Sequence, residues 1–408
     1  MFAIRPLGVL FILNFCAIQL VQAENALDLD SGVFSPSDKV YDKNVSILAL
    51  SLGAGFTDNY NALLEPDLES SALLLQANGS LVSKNEARWL QANYSAGTSQ
   101  FQLSDNEFEQ EDSYNNLDFG VNSRFFVATR WSVDLNVRYS NVDERIGSGI
   151  SKFRTGIAQN DSVSIGQGSV SLTYGADRSY RSIQLTLLKS DRDYDSNNPY
   201  SDFFDLEQDV AILYSNFRIS DQTQLIGSVE YRASTLEQSP QLDSNHVQVL
   251  AGIQWVPSGS TKLLALIGGY QRRSDNRDTT SGVNWEVALE YSPRTDWLLN
   301  FSSKRQSTTG QNNELSFDTI DEQHSAKIIY FFSDQWQFGL TSAIRTLDYQ
   351  ELMQDVTSDE VSIGLSSQLS ISDHNKVTLS LGSNDLEDQN RSVDYSQNSV
   401  SIAWQYEF

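Results

Sequence analysis

The feature that most constrains this chain is an alternation of apolar and polar residues with a period of two, repeated along most of its length. The clearest example is the last segment, 399–408 (SVSIAWQYEF), in which one face reads Val, Ile, Trp, Tyr, Phe and the other reads Ser, Ser, Ala, Gln, Glu. The same alternation recurs in 131–139, 283–291 and 336–341. It predicts β-strands with one apolar and one polar face.

Two properties of these strands favour a membrane barrel over a soluble sheet. Charged residues such as Asp134, Arg138, Glu286 and Glu290 occupy the polar face, which suits a watery lumen and not the dry core of a sandwich. The apolar face gains aromatic residues towards the strand end, as at a membrane interface, and the chain stops on Phe408. A soluble β-sandwich or propeller is the alternative, because half-buried strands in those folds also alternate.

The connections between strands also indicate a barrel. Short turns alternate with longer loops, of which 144–163, 191–205 and 307–321 are the largest. Short turns at one rim and long loops at the other are typical of bacterial outer-membrane barrels, with both termini at the short-turn rim. We therefore predict an all-β fold, a single closed antiparallel transmembrane β-barrel of about 18 strands over residues 45–408.

The first 23 residues predict a cleaved export signal. An apolar core begins at Leu7, and Val21 and Ala23 form a small-residue cleavage site before Glu24. An anchor helix is the alternative, although polar residues interrupt the apolar run. We accordingly divide the chain into a signal peptide (1–23), a short periplasmic lead (24–44) and the barrel (45–408), and we expect it in the outer membrane, in contact with outer-membrane lipid.

Composition excludes several classes of function. The chain has 28 Lys and Arg against 53 Asp and Glu, a net charge of −25, so a nucleic-acid partner would be repelled. Three His and one Cys argue against zinc or iron–sulfur sites, and we expect no cofactor. Beyond the first 23 residues no apolar run approaches the ~20 residues that a membrane-spanning helix needs.

We expect no enzymatic activity. The candidate bases His246, His324 and His374 fall on different predicted strands or turns, and none belongs to a recognisable motif. Pairs of carboxylates are frequent, as chance alone produces among 53 acidic residues.

One acidic cluster imitates the spacing of a calcium-binding loop. Asp191, Asp193, Asp195 and Asp202 are separated as oxygen ligands of such a loop would be. Ser196 stands where the sharp turn requires Gly, and Asp202 replaces a longer Glu. We therefore expect a solvated acidic loop, with calcium binding as the alternative.

The polar faces of the strands supply candidate lumen-lining residues of both charge signs. Mixed charges among Gln, Asn, Ser and Thr suit hydroxyl-rich solutes, whereas cross-strand ion pairs that only brace the wall are the plainer interpretation. The candidates are Asp118, Arg124, Asp134, Arg138, Glu230, Arg232, Glu286, Glu290, Lys304, Lys327 and Arg345.

Several short motifs resemble the beta-barrel porin 2 family. They are GFTDNY at 55–60, WLQANY at 89–94, RWS at 130–132 and RSYRS at 178–182. The resemblance covers most of the chain after the signal peptide. It implies an outer-membrane barrel that takes part in the export of capsular or extracellular polysaccharide, with a periplasmic export protein as its partner.

The sequence thus predicts an outer-membrane channel, with export of a polysaccharide as the main hypothesis. A general or small-solute porin is the first alternative, and loop 144–163 is long enough to fold inward and constrict the lumen. A structural or adhesive surface barrel with a plugged lumen is the second alternative. The sequence does not identify the transported substrate.

Overall fold

The structure is a computed structural model. It describes residues 44–58, 69–85, 88–103, 112–144, 150, 159–175, 180–195, 198, 200–274, 277–308, 319–350, 355–388 and 393–408. The predicted signal peptide and nearly all of the predicted periplasmic lead lie outside these residues. Within them, no helix is long and apolar enough to cross a membrane.

The described chain forms strands joined in sequence order. They are β1 (Val45–Thr57), β2 (Ser70–Lys84), β3 (Arg88–Leu103), β4 (Ser113–Ala128), β5 (Trp131–Glu144), β6 (Asp161–Tyr174), β7 (Arg181–Tyr194), β8 (Leu206–Arg218), β9 (Thr223–Leu236), β10 (Ser244–Ser258), β11 (Thr261–Ser274), β12 (Arg277–Tyr291), β13 (Trp297–Thr308), β14 (Thr319–Phe331), β15 (Trp336–Gln350), β16 (Asp355–Ser370), β17 (Asn375–Asp388) and β18 (Val393–Glu407). Two short 3₁₀ helices, Ser201–Phe204 and Pro240–Leu242, lie in connections.

These strands close into one antiparallel barrel. Each strand pairs with its neighbours in sequence, and β1 pairs with both β2 and β18, so the 18-stranded sheet has no free edge. Leu52 of β1, for example, lies opposite Leu75 on one side and Trp404 on the other. Closure satisfies the backbone hydrogen bonds that an open edge would leave unpaired, which a hydrocarbon environment demands. The predicted fold is confirmed.

The outward face of the barrel carries a continuous apolar belt. Along β1 and β2, Leu52 is 52% exposed and Leu73 is 63% exposed, while their neighbours Ser51 and Leu74 are 3% and 6% exposed. The same alternation continues around the sheet, so the exposed aliphatic side chains share one face. A belt this extensive would be unstable in water and matches the hydrocarbon core of a bilayer.

An aromatic girdle borders the belt at the short-turn rim. Trp297 of β13 packs on Tyr330 of β14 with ring centroids 4.7 Å apart. At the end of the chain, Trp404, Tyr406 and Phe408 form a continuous row of ring contacts, and the last two rings meet edge to face with 4.6 Å between their centroids. Amphipathic rings favour the level of the lipid headgroups, so the girdle marks one membrane interface.

Strand β7 extends further than expected at the long-loop rim. It continues to Tyr194, so the prediction that loop 191–205 begins at Asp191 is wrong. Beyond the belt, the alternation persists with polar residues on both faces, since a strand outside hydrocarbon needs no apolar face. Where both faces of a strand are polar, the sequence shows no apolar–polar alternation, so the end of such a strand is harder to recognise from the sequence.

Candidate functional site: the inward face of the barrel

The inward face of the closed sheet is the candidate functional surface. Strand alternation puts the residues between the belt positions on this face, where Ser, Asn, Gln and charged side chains predominate. All the predicted lumen residues lie on it, namely Asp118, Arg124, Asp134, Arg138, Glu230, Arg232, Glu286, Glu290, Lys304, Lys327 and Arg345. Their role in transport stays a prediction.

Ion pairs brace the wall at β4 and β5. Arg124 and Asp134 are directly opposite in the strand register and form a pair with 2.5 Å between Nε and Oδ1. Arg138 reaches Asp118 diagonally, with 2.6 Å between Nη2 and Oδ2. All four side chains are partly exposed, so each pair is within reach of solvent and contributes modestly to stability.

A further pair joins β14 to β15. Arg345 contacts Asp321 through two nitrogens, with Nε 3.0 Å from Oδ1 and Nη2 3.2 Å from Oδ2. This two-point geometry is the strongest form of an arginine–carboxylate contact. Asp321 was missed in the sequence analysis, although its alternation with Gln323 and Lys327 was a sufficient signal.

The other predicted lumen residues are distributed along β9 to β14. Arg232 contacts Glu230 two residues away on the same strand, with 2.5 Å between Nη2 and Oε1. Glu286 lies opposite Lys304 in the register, and Glu290 lies opposite Lys262. Opposite charges therefore face each other across neighbouring strands at these positions as well.

Cations and carboxylates are nearly balanced on the inward face, in contrast to the chain as a whole with its net charge of −25. The inward cations are Lys84, Arg124, Arg138, Arg192, Arg218, Arg232, Lys262, Arg272, Lys304, Lys327, Arg345 and Lys376. The inward acids are Asp118, Asp134, Glu144, Asp161, Glu230, Glu286, Glu290, Asp321, Glu360 and Glu407. Among the described side chains, the excess of acid therefore lies outside the inward face.

Two parts of the inward face carry few or no charged side chains. On β8 to β11, a buried apolar cluster is formed by Tyr214, Ile226, Leu250, Leu264 and Leu266. On β1 to β3, the inward residues are mostly uncharged and polar, and the buried ones include Ser51, Gln76, Asn78, Ser80, Gln91 and Asn93. The wall therefore offers apolar and amide or hydroxyl surfaces in addition to ion pairs.

A polar cluster holds the chain together at the long-loop rim between β5, β6 and β7. Asp161 is fully buried and accepts hydrogen bonds from Asn198 Nδ2 and Ser201 Oγ, both at 2.7 Å. Glu144 accepts from the backbone N–H of Ile150 at 2.9 Å and from the Tyr194 hydroxyl at 3.2 Å. These contacts hold Asn198 and Ser201 against β6 at the long-loop rim.

The calcium-loop candidates do not share one loop, and calcium binding at them stays the alternative to a solvated acidic surface. Asp191 and Asp193 project outward from β7, Asp195 follows that strand, and Asp202 lies in the 3₁₀ helix. An extended strand cannot wrap its side chains around one ion, because successive outward residues point the same way. Within the described part of the chain, no group of three or more His, Cys, Asp or Glu side chains is arranged to hold a metal.

Asp205 directly follows the 3₁₀ helix Ser201–Phe204, and the surroundings of its carboxyl group shift its pKa. Its carboxylate accepts a hydrogen bond from the backbone N–H of Tyr194 at 2.8 Å. Burial raises the pKa of Asp205, the hydrogen bond from Tyr194 opposes that rise, and the nearby carboxylates of Asp193 and Asp202 add to it.

The three histidines do not converge. His246 is buried on the inward face beside Tyr270, His324 lies on the outward face against Glu322, and His374 lies in a short turn near the backbone of Glu407. A nucleophile and base would have to meet in one place, and these side chains occupy three separate surfaces of the barrel.

Comparisons with known proteins identify similar barrels and no family. No protein-family model matches the chain, and no curated protein matches it, so the resemblance to the beta-barrel porin 2 family has no support from these comparisons. Among solved structures, the chain is similar to OccAB2 of Acinetobacter baumannii, with a TM-score of 0.48, 11% identity, and coverage of 89% of this chain and 98% of that one.

Two further structures show the same degree of similarity. The outer membrane protein OpdK of Pseudomonas aeruginosa has a TM-score of 0.48 and 10% identity, and covers 89% of this chain and 99% of its own. A mutant of the ferric enterobactin receptor PfeA of P. aeruginosa has a TM-score of 0.47 and 9% identity, and covers 90% and 81%. Since the likenesses are this distant, the barrel assignment rests on the strand pairing of the chain itself.

Proposed function

We propose that this protein is an outer-membrane channel through which small hydrophilic solutes diffuse. The observation that carries the proposal is the contrast between the faces of one closed sheet, an apolar belt outside and polar side chains with balanced charges inside. An 18-stranded barrel encloses more space than its own side chains fill, whereas about eight strands do not. The fold has no other surface of comparable size and polarity among the described residues.

The inward face favours a channel of low charge selectivity. Most of the charged pairs, such as Arg345 with Asp321 and Arg124 with Asp134, are neutral as units. The balance of signs gives no continuous ladder of one charge along which a single class of ion would move. Half-buried amide and hydroxyl side chains elsewhere on the inward face, such as Ser95 and Asn136, can exchange hydrogen bonds with sugars and other uncharged solutes.

The proposal replaces polysaccharide export as the leading hypothesis. Export was implied by a family resemblance that the comparisons do not support, and no described surface points to a periplasmic partner. Polysaccharide export stays the alternative, and the phenotype of a deletion strain would test it. Burial of inward residues such as Asn78 and Ser80 is the observation that favours the other alternative, a structural barrel with an occupied lumen.

The test is to reconstitute the protein in planar bilayers and in liposomes that swell as sugars enter. We expect stepwise conductance and swelling that falls with solute size. The double variant Arg345→Gln, Asp321→Asn removes the ion pair without changing net charge and should alter the single-channel conductance. As a matched control, Lys189→Gln, Glu207→Gln removes an outward pair and should leave conductance unchanged.

Three results would contradict the proposal in different ways. A barrel that inserts and does not conduct would favour the structural alternative. A deletion strain that loses surface polysaccharide while cytoplasmic synthesis continues would favour export. Equal effects of the inward and outward double variants would show that the inward face is not the conducting surface.

A further inference from the structure

A polar cluster interrupts the apolar belt on the outward faces of β12 to β14. Glu322 accepts contacts from His324 Nε2 at 3.1 Å and from Arg305 Nε at 3.5 Å. The Arg305 guanidinium lies 5.6 Å from the ring centroid of Trp285, and Trp285 Nε1 donates to Ser303 Oγ at 3.0 Å. We call Trp285, Arg305, Glu322 and His324 the outward cluster.

The outward cluster lies within the belt and not beyond it. In the strand register, His324 lies opposite Ser303 on one side and Ile344 on the other, and Ile344 lies opposite Val361. Ile344 is 48% exposed on the lipid side, so apolar side chains flank the cluster at its own height. Charged groups on a lipid-facing surface are unfavourable, least so near the interfaces, and call for a functional reason.

The outward cluster also coincides with an early end of the ladder between β12 and β13. Pairing of β12 with β13 runs from Tyr291–Leu299 to Trp285–Arg305 and stops there, although both strands continue, with Val283 and Ser307 among the described residues beyond it. Arg305 Nη1 instead donates to the carbonyl oxygen of Val283 at 2.8 Å. Arg305 thus bonds to the β12 backbone just beyond the last paired residues, and the rest of its guanidinium faces the lipid side.

The charge at this position differs from that of the other polar parts of the outward face. On β7 and β8, the Lys189–Glu207 pair is accompanied by Asp191 and Asp209, so that surface is acidic. On β15 to β17, the outward residues beyond the belt include Asp348, Asp359 and Asp385. On β11 to β14, the outward cations are Arg273, near the long-loop rim, and Arg305, deeper in the wall, and Glu322 of β14 is the acid in contact with Arg305.

We propose that the outward cluster binds the phosphorylated headgroup of a lipid in the outer leaflet. Arginine forms multiple hydrogen bonds to phosphate, and Trp285 is a ring type that favours the headgroup level. Phe301, exposed on the lipid side and nearer the short-turn rim than Arg305, would contact the acyl chains of the same lipid. Glu322 holds Arg305 in place when no lipid is bound and competes with phosphate for it. The inference rests on the outer-membrane location with the long loops outside, and is independent of what the lumen transports.

The experiment measures retention of lipid A, carrying two phosphates, by the purified barrel in detergent, using native mass spectrometry. We expect Arg305→Gln to reduce retention about tenfold, the effect of losing one charge-assisted hydrogen bond. Glu322→Gln should increase retention, because it removes the competing carboxylate. Lys189→Gln is the matched control, an outward cation paired with Glu207 within the acidic surface of β7 and β8, and should retain lipid as the unaltered protein does.

Further arms separate the possible ligands. Dephosphorylated lipid A should bind the unaltered protein and Arg305→Gln equally, and inorganic phosphate should compete with lipid A only weakly. Equal retention by Arg305→Gln and Lys189→Gln would overturn the proposal, as would a loss of retention in Glu322→Gln. If Arg305→Gln instead abolishes an oligomer of this chain with lipid retention unchanged, the cluster is an interface between copies and the proposal is wrong. Loss of conductance in a barrel that retains lipid A normally would contradict the proposed function alone.

Discussion

Arginine at Leu365 should destabilise the folded barrel far more than arginine at the next residue, Ser366. Leu365 of β16 projects into the middle of the apolar belt, between Leu340 and Leu381 in the strand register, and is 52% exposed to the lipid side. Ser366 projects inward opposite Gly339, whose missing side chain leaves room beside it. The two variants differ by one position along the chain and by the face on which the new charge is placed.

The expected difference follows from the position of Leu365. Arginine on the lipid face of a barrel costs about 2–4 kcal/mol at the bilayer midplane. A fully buried leucine contributes about 1.5–3 kcal/mol, so the lipid-facing half of Leu365 adds about 1 kcal/mol when it is lost. The folded state should therefore lose about 3–5 kcal/mol in Leu365→Arg, equivalent to a factor of about 100 or more in the folding equilibrium. Ser366→Arg should change stability by less than about 1 kcal/mol.

The assay is urea titration of the barrel in lipid vesicles, with the folded fraction read from its altered gel mobility before boiling. The closed sheet should keep the unboiled protein folded in mild detergent. Similar midpoints for Leu365→Arg and Ser366→Arg would refute the reasoning, because they would mean that the two faces of β16 do not meet different solvents. A lower midpoint for Ser366→Arg alone would reverse the assignment of the faces.

Three other predictions test separate parts of the structure. Trp404→Asp should prevent assembly into the membrane, because it places a charge in the aromatic girdle, and normal membrane levels of the variant would show that this strand does not face lipid. With Cys16 replaced by Ser, cysteines at Gln238 and Ser258 should differ in labelling on intact cells, since these exposed residues lie at opposite rims, and equal labelling would contradict the topology. Because the pKa of Asp205 is raised in the folded state, its ionisation should weaken the rim contacts as pH rises, and Asp205→Asn should remove that part of the pH dependence of proteolysis after β7.

The strand count and the two faces were predictable because both follow from a local rule. Residues two positions apart on a strand point the same way. The alternation in 399–408 therefore identifies the apolar and the polar face of that strand, and the partner strand need not be known. The same rule placed every predicted lumen residue on the inward face. The sequence therefore predicts which charged residues face inward, but it does not predict which of them form ion pairs with one another.

Pairing depends on register, which the alternation leaves undetermined. Arg345 lies opposite Gln323 and contacts Asp321, a diagonal neighbour on the adjacent strand. A shift of two residues between β14 and β15 would keep all faces correct and give Arg345 another partner. The acidic run from Asp191 misled the sequence analysis for a related reason, since its spacing fits both an outward strand face and a ligand loop, and only the continued pairing of β7 with β6 distinguishes them.

Among the described residues, the position of the excess acidic side chains has consequences for both the rim and the lumen. The inward face is nearly balanced, while outward residues beyond the belt, including Asp191, Asp193, Glu207 and Asp209, are acidic. A strand that projects out of hydrocarbon remains solvated, and like charges on its outer surface repel other molecules of the same charge. Acid in this position keeps the projecting strands hydrated without imposing its sign on the lumen wall. Solutes that pass the rim would then meet a wall of neutral ion pairs and amides, on which size and hydrogen bonding discriminate more strongly than charge.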